Sequence, residues 1–291
     1  MKKFLRKWVF IGMKIVGGCF FQKSQKYQIR SEIFLKNISQ QHQNGWLVIP
    51  LPRENLYQKI LKQPKFFGFN PEIKRDENFG NLYALYKLEL GYEEEKLFSF
   101  ESVVQREPQV FSGFKNDIFQ KAQEINERVI KKLEYGNPIE GLYSAEEALE
   151  KKIVDCGGFA TLFVAWCQKE GIPARIVAGF WAGYPTKVFS GFFARAPQNL
   201  MHAWAEFEIE KDVWIPVDPA TEKLVRAGRE FRSGEFGFVG SDHITFSHGS
   251  NIPIQIDKKE MRIPIFQNPF IISENKNCIH LEKKLVIDRL L

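Results

Sequence analysis

Val154-Asp155-Cys156-Gly157-Gly158-Phe159-Ala160 is the stretch from which the fold reads. Apolar residues follow the cysteine at helical intervals (Phe159, Leu162, Phe163, Val164, Trp166), and the run stops at Gly171-Ile172-Pro173. A glycine stop followed by a helix breaker is a C-terminal signal. The cysteine therefore opens a helix. The start of a helix carries unpaired N–H groups and the positive end of the macrodipole, both of which favour an anion. A thiol placed there is set up as a nucleophile. Asp155 is a natural N-cap, although its own charge opposes a thiolate beside it.

The sequence on either side supplies helices and then strands. Phe114, Ile118, Ala122, Ile125, Val129 and Leu133 predict an amphipathic helix over 113–134, closed by Tyr135-Gly136-Asn137-Pro138. Ser144-Ala145-Glu146-Glu147 is a capping-box pattern that opens a short helix. Beyond the cysteine helix, Pro173–Phe180 reads as an apolar strand. Met201–Ile209 and Val213–Pro219 read as an antiparallel pair turning at Glu210-Lys211-Asp212. Pairing about that turn brings His202 and Asp218 to the same end of the hairpin. A thiol, an imidazole and a carboxylate are the parts of nucleophilic acyl transfer: the first attacks, the second moves the proton, the third orients the second.

Four blocks carry a resemblance: Asp155-Cys156-Gly157-Gly158-Phe159-Ala160, Gly171-Ile172-Pro173-Ala174-Arg175, His202-Ala203-Trp204-Ala205-Glu206 and Trp214-Ile215-Pro216-Val217-Asp218-Pro219. In this order they resemble the transglutaminase-like superfamily, which includes animal transglutaminases, peptide:N-glycanases and many microbial cysteine proteases. The resemblance implies an α+β fold, with a papain-like core of helices packed on an antiparallel sheet. It also implies that Cys156 is the nucleophile, His202 the general base and acid, and Asp218 the orienting carboxylate. The Cys156 backbone N–H would be one oxyanion donor. Tyr143 is the candidate for the second, and Trp181 and Tyr184 are candidates for the cleft. The expected activity is hydrolysis or transfer at amide bonds of a peptide or protein through a Cys156 thioester. A non-catalytic interaction domain on the same fold is the alternative.

The resemblance calls for no cofactor. Zinc on Cys156, His202 and Asp218 would lack a fourth ligand at a recognisable spacing. Cys167, about 16 Å along the helix from Cys156 at 1.5 Å per residue, reads as core. The four cysteines (Cys19, Cys156, Cys167, Cys278) include no CxxC pair, which argues against a disulfide framework.

The upstream stretch 27–112 alternates short apolar runs with turn residues, including Asn44-Gly45 as a hairpin turn, and predicts a β-sandwich-like domain. Residues 113–257 form the expected core, and 258–291 a C-terminal β hairpin. The Arg- and Gly-rich stretch 221–242 reads as a solvated surface loop, with a loop that covers a cleft and offers its basic residues to an acidic substrate as the alternative. His243 and His248 have no assigned role.

Charge is uneven along the 291 residues. Residues 1–26 hold seven Lys and Arg and no acid; without these seven, 34 bases face 35 acids. The net +6 is therefore a property of this segment, and a nucleic-acid-binding face on the body is not expected. Read as a helix, 1–26 clusters Lys3, Lys7 and Lys14 within about 40° of one another and leaves another arc to Phe4, Leu5, Trp8, Val9, Ile11, Ile15 and Val16, which suits docking on the body or contact with a membrane surface. A secretory signal is the second reading, with Val16-Gly17-Gly18-Cys19 as a lipobox-like sequence. The absence of disulfide spacing favours the cytoplasm; the lipobox reading would put the protein on the cell envelope.

Overall fold

The computed structural model describes residues 23–112, 114, 116–139, 141–182, 200–230, 234–257 and 259–290. The readings made for residues 1–22 and for Tyr184 lie outside the described residues. In chain order the first strands are β1 (Gln25–Asn37), β2 (Gln43–Pro50), β3 (Gln58–Phe67), β4 (Glu72–Arg75), β5 (Leu82–Leu90), β6 (Glu95–Arg106) and β7 (Gln109–Val110). The helical stretch follows: α1 (Asp117–Lys132), β8 (Glu134–Tyr135), α2 (Ala145–Lys151), β9 (Ile153–Val154) and α3 (Cys156–Lys169). Next come β10 (Ala174–Trp181), β11 (Leu200–Glu210), β12 (Val213–Val217) and α4 (Pro219–Arg226). The chain ends with β13 (Gly234–Glu235), β14 (Phe238–Val239), β15 (His243–His248), β16 (Ile252–Ile256), β17 (Lys259–Ile263), β18 (Phe270–Ser273) and β19 (Ile279–Leu290). Among the described residues, no helix is long and apolar enough to cross a membrane.

The chain divides into two units. One takes in Glu107–Ala178 and His202–His243; the other takes in Gln25–Arg106, Gly179–Met201 and Ile244–Leu291. This differs from the expected division at 112 and 257, because the strands from Ile244 onward join the β-rich unit. That unit holds two four-stranded sheets, ordered β19-β1-β6-β3 and β18-β2-β5-β4. Strand β1 buries alternate residues, with Tyr27, Ile29, Ile33 and Leu35 on one face, the period-two pattern of a half-buried strand. Both sheets contribute to one apolar cluster: Tyr27, Ile33, Phe98 and Phe100 from the first, Leu47, Ile49, Ala84 and Leu88 from the second.

Two expectations are corrected here. The C-terminal strands form no hairpin with each other. Strand β19 runs antiparallel to β1 from Lys26↔Leu290 to Asn37↔Ile279, and β18 pairs with β2. Each covers a backbone edge that would otherwise stay open. Nor is Asn44-Gly45 a turn, since it lies inside β2. Strand β18 passes so closely that a Cβ on Gly45 would stand 2.5 Å from the Ile272 carbonyl oxygen, so glycine answers strand approach rather than turn geometry.

The other unit is built around α3. Its burial is nearly all-round, with Phe159, Ala160, Leu162, Phe163, Val164 and Cys167 inside, and α1, α2 and α4 pack against it. Helix α1 starts at Asp117, later than expected, because the Asn116 side chain accepts the Phe119 N–H and caps it there. The rings of Phe119, Phe163, Phe207 and Phe236 meet at centroid distances of 5.0–6.3 Å. Full burial of Phe163 and Phe207 stabilises the unit by about 1.5–3 kcal/mol each. The stretch expected as a loop from 221 begins instead as α4, capped by Asp218 with Pro219 in its first turn. Its Arg226 is bonded to Glu127 and Glu222, so it is committed to holding α4 on α1.

Candidate active site

The start of α3 is fixed by three local devices. Asp155 Oδ1 accepts the Gly158 N–H at 3.2 Å, and its Oδ2 accepts the Ile139 N–H at 3.1 Å. The residue therefore caps the helix and ties down the preceding loop. A Cβ on Gly158 would stand 2.6 Å from Val154 Cβ, and one on Gly157 would stand 2.9 Å from Leu142 Cδ1. The two glycines let the helix start press against β9 and the α2 approach. At the far end, Gly171 takes φ 73°, and the Ile172 N–H reaches the Cys167 carbonyl, the left-handed stop read from the sequence. Cys156 is thus held at the first position of the helix, partly accessible.

His202 and Asp218 come from the two arms of one hairpin. Strands β11 and β12 pair from Glu210↔Val213 to Ala205↔Val217, which carries His202 and Asp218 past the paired end together. His202 Nε2 lies 2.7 Å from Asp218 Oδ2, and both side chains are fully buried. Asp218 Oδ1 accepts the Thr221 N–H at 3.0 Å as the α4 cap. One carboxylate therefore serves the helix with one oxygen and the imidazole with the other. The Cys156 sulfur also acts on this ring and helps to raise its pKa. With Nε2 engaged by Asp218, Nδ1 is the ring nitrogen left for the sulfur.

Electrostatics follow from burial and neighbours. Burial works against a charged His202, but the Asp218 carboxylate and the Cys156 sulfur outweigh it, and the imidazole pKa stands above its ordinary value. Burial likewise works against the Asp218 anion; His202 and His243 outweigh it and hold its pKa well below the carboxylate range. Cys167 behaves oppositely, since burial alone pushes its thiol up to about 12.

The aromatic candidates fare unevenly. Tyr143 is 2 % exposed, and its hydroxyl donates to the Asn137 carbonyl at 2.6 Å. That donor is already used, so Tyr143 is not the oxyanion donor expected of it. Trp181 ends β10 in the β-rich unit. Tyr135, which the sequence reading passed over as part of a helix stop, lies opposite Val154 in the parallel β8–β9 pair. Burial, then the charges of Cys156, Asp155 and Asp218, raise its pKa, so it stays a neutral hydroxyl near the thiol.

His243 is the other residue missed. Its Nε2 lies 3.2 Å from Asp218 Oδ2 and its Nδ1 2.8 Å from Asp242 Oδ1. Trp204 stacks near His202 at 5.9 Å and presents to His243 edge-on at 5.2 Å. The signal was an Asp-His pair opening an apolar strand, Asp242-His243-Ile244-Thr245-Phe246. Ligand-type atoms of His202, Asp218 and His243 lie within 4.8 Å of one another. Asp218 Oδ2 lies within hydrogen-bond distance of a nitrogen of each ring, an arrangement that can serve as a hydrogen-bonded relay.

Comparison with known proteins bears on the same stretch. The family model described as the transglutaminase-like superfamily matches residues 106–219. No curated protein matches the sequence. Among solved structures, the chain is similar to a "Putative Cysteine Protease" from Cytophaga hutchinsonii, at 14% identity and TM-score 0.48, covering 90% of this chain and 91% of that one. It is also similar to the periplasmic domain of TgpA from Pseudomonas aeruginosa, at 13% identity and TM-score 0.28, covering 75% of this chain and 97% of that one. Residues 106–219, the stretch that the transglutaminase-like family model matches, contain Cys156, His202 and Asp218.

Proposed function

We propose that this protein is a cysteine-dependent enzyme acting on amide bonds of a peptide or protein through a thioester on Cys156, with hydrolysis favoured over transfer to an amine. The papain-like reading of the core belongs to this proposal. The observation that carries it is the buried His202 Nε2–Asp218 Oδ2 contact of 2.7 Å, with the Cys156 sulfur at the start of α3 acting on the same imidazole and helping to raise its pKa.

In this reading Asp218 accepts the Nε2–H and leaves Nδ1 as the base. The thiol proton passes to Nδ1, and the sulfur attacks the carbonyl carbon. The resulting oxyanion is met by the Cys156 N–H, which has no acceptor inside its own helix, and by the Tyr135 hydroxyl. The His202 imidazolium then protonates the departing amine as the C–N bond breaks, leaving the thioester. Water, deprotonated by His202, attacks next; collapse releases the acid and returns the proton to the sulfur. An amine in place of water would give transfer through the same steps.

The test is alkylation with limiting iodoacetamide across pH, with the adduct located by mass spectrometry. Cys156 is expected to react far faster than Cys167, and His202→Ala to suppress the rate near neutrality. Equal, slow labelling of all cysteines overturns the reading. Cleavage of a peptide library, set against amine incorporation into a glutamine peptide, decides between hydrolysis and transfer.

A further inference from the structure

The His243 ring lies between two buried carboxylates. Nδ1 faces Asp242 Oδ1 at 2.8 Å, and Nε2 faces Asp218 Oδ2 at 3.2 Å. His243, Asp242 and Asp218 are all 0 % exposed. A neutral imidazole has one N–H and one lone pair, so one of its nitrogens would turn a lone pair toward a carboxylate oxygen. Protonation at both nitrogens satisfies both contacts. Charge balance points the same way. Asp218 and Asp242 put two negative charges in the interior, and an uncompensated buried charge is costly. Asp242 Oδ2 has no hydrogen-bond partner among the described residues, which leaves the ring contact at Oδ1 to balance that carboxylate.

We propose that His243 is a positioning residue held as an imidazolium between Asp218 and Asp242, orienting Asp218 toward His202 and setting, through its charge, the pH range over which Cys156 and His202 work. The inference rests on the thiol-enzyme reading of the site and extends it to a residue beyond the matched stretch 106–219. The titratable groups facing the ring are Asp242 on its own loop, Asp218 at the end of β12 and His202 on β11, whose ring centroid is 5.5 Å away. Cys156 lies beyond His202. Burial opposes a charged His243; Asp242 and Asp218 outweigh it and raise its pKa. A fixed cation here favours the thiolate and disfavours a second cation on His202. Both limbs of the pH profile therefore sit lower than they would without it.

Two measurements on the full chain test this. Nitrogen NMR of histidine-labelled protein, with His243→Gln assigning the signal, is expected to show both ring nitrogens of His243 protonated at slightly alkaline pH. A singly protonated ring there overturns the proposal. The pH profile of Cys156 alkylation by iodoacetate, an anion whose capture draws on the His202 cation as well as on the thiolate, is expected to move upward on both limbs in His243→Gln, by roughly one unit, or tenfold on the acid limb. If both limbs stay in place, whatever happens to the plateau rate, His243 is structural and the proposal fails. Should His243→Gln not fold, Asp242→Asn carries the test: it keeps the ring and its bond to Asp218 while releasing the second proton, and is expected to move both limbs the same way by less. Limbs that stay in place in that variant overturn the proposal equally. A wild-type Cys156 no faster than Cys278 would sink the thiol-enzyme reading and this inference with it, an outcome distinct from a fast Cys156 whose limbs do not move.

Discussion

Gly234 lies against the carboxylate of Asp218: a Cβ on the glycine would stand 2.6 Å from Asp218 Oδ2 and 3.0 Å from Thr221 Cβ and Cγ2. The oxygen it would meet is the one bonded to His202 and His243. Gly234→Ala is therefore expected to cost about 1–3 kcal/mol by overpacking and to slow Cys156 alkylation by displacing Asp218. Urea unfolding and alkylation rates check both effects. A variant with wild-type alkylation would show that Asp218 does not need this clearance.

The two tyrosines of the helix approach separate by role. Tyr143→Phe removes the bond to Asn137 and is expected to cost about 0.5–1.5 kcal/mol with little change in turnover. Tyr135→Phe is expected to keep stability and iodoacetamide reactivity while lowering turnover roughly 10²-fold, the size of one oxyanion donor. Peptide-cleavage rates beside alkylation rates tell them apart. If Tyr135→Phe turns over normally, the second donor is not this hydroxyl.

Arg175 and Glu206, both within the motif blocks, form a pair. The guanidinium gives two hydrogen bonds to Glu206 Oε2, at 3.0 and 2.7 Å, and lies over the Trp214 ring at 3.7 Å. Glu206 is 4 % exposed on its side chain, so Arg175→Met takes away the guanidinium from a buried carboxylate, at a cost of about 3–5 kcal/mol. The double variant Arg175→Met/Glu206→Gln is expected to recover part of that loss. Denaturant midpoints for the two singles and the double measure the coupling; purely additive losses would refute it.

Stability should fall on both sides of neutrality. Asp218 is depressed in the folded protein. Its contribution is present above the unfolded carboxylate range and is lost as pH falls below about 4. His202 and His243 are raised. Theirs is complete below the unfolded histidine value of about 6.5 and is lost as pH rises through the folded values. Denaturant midpoints against pH test this, and His243→Gln should weaken the alkaline decline. A decline of unchanged size in that variant would contradict the assignment.

What was legible in the sequence was local. Asp155 before Cys156 gave the cap, Gly171-Ile172-Pro173 the stop, and the sixteen residues from His202 to Asp218 one hairpin whose ends meet. Each needs only backbone periodicity and turn chemistry. His243 was hidden because its partner Asp218 lies 25 residues away across a segment with no repeating pattern. Tyr135 was hidden because the residues that mark a helix stop also mark a loop, and only the pairing of β8 with β9 sets that ring near the sulfur. The edge strands β18 and β19 were misread for the same reason. Alternation shows that a strand exists, but which strand it pairs with depends on the rest of the chain.

The pairing of β1 with β19 has a consequence for biogenesis. Arg30 and Asp288, bonded across that pair, are 258 residues apart, and Glu107–His243 is threaded between them in the chain. During synthesis, β1 must wait with one edge open until β19 has left the ribosome, while the segment bearing Cys156, His202 and Asp218 emerges whole in the interval. The order of appearance makes the segment with the candidate triad the early folder and the β-rich unit the slow one, since long-range strand pairing closes late. A nascent chain stalled before Ile279 would carry its candidate triad complete and its first strand exposed, a state in which chaperones, rather than substrates, would be the first partners.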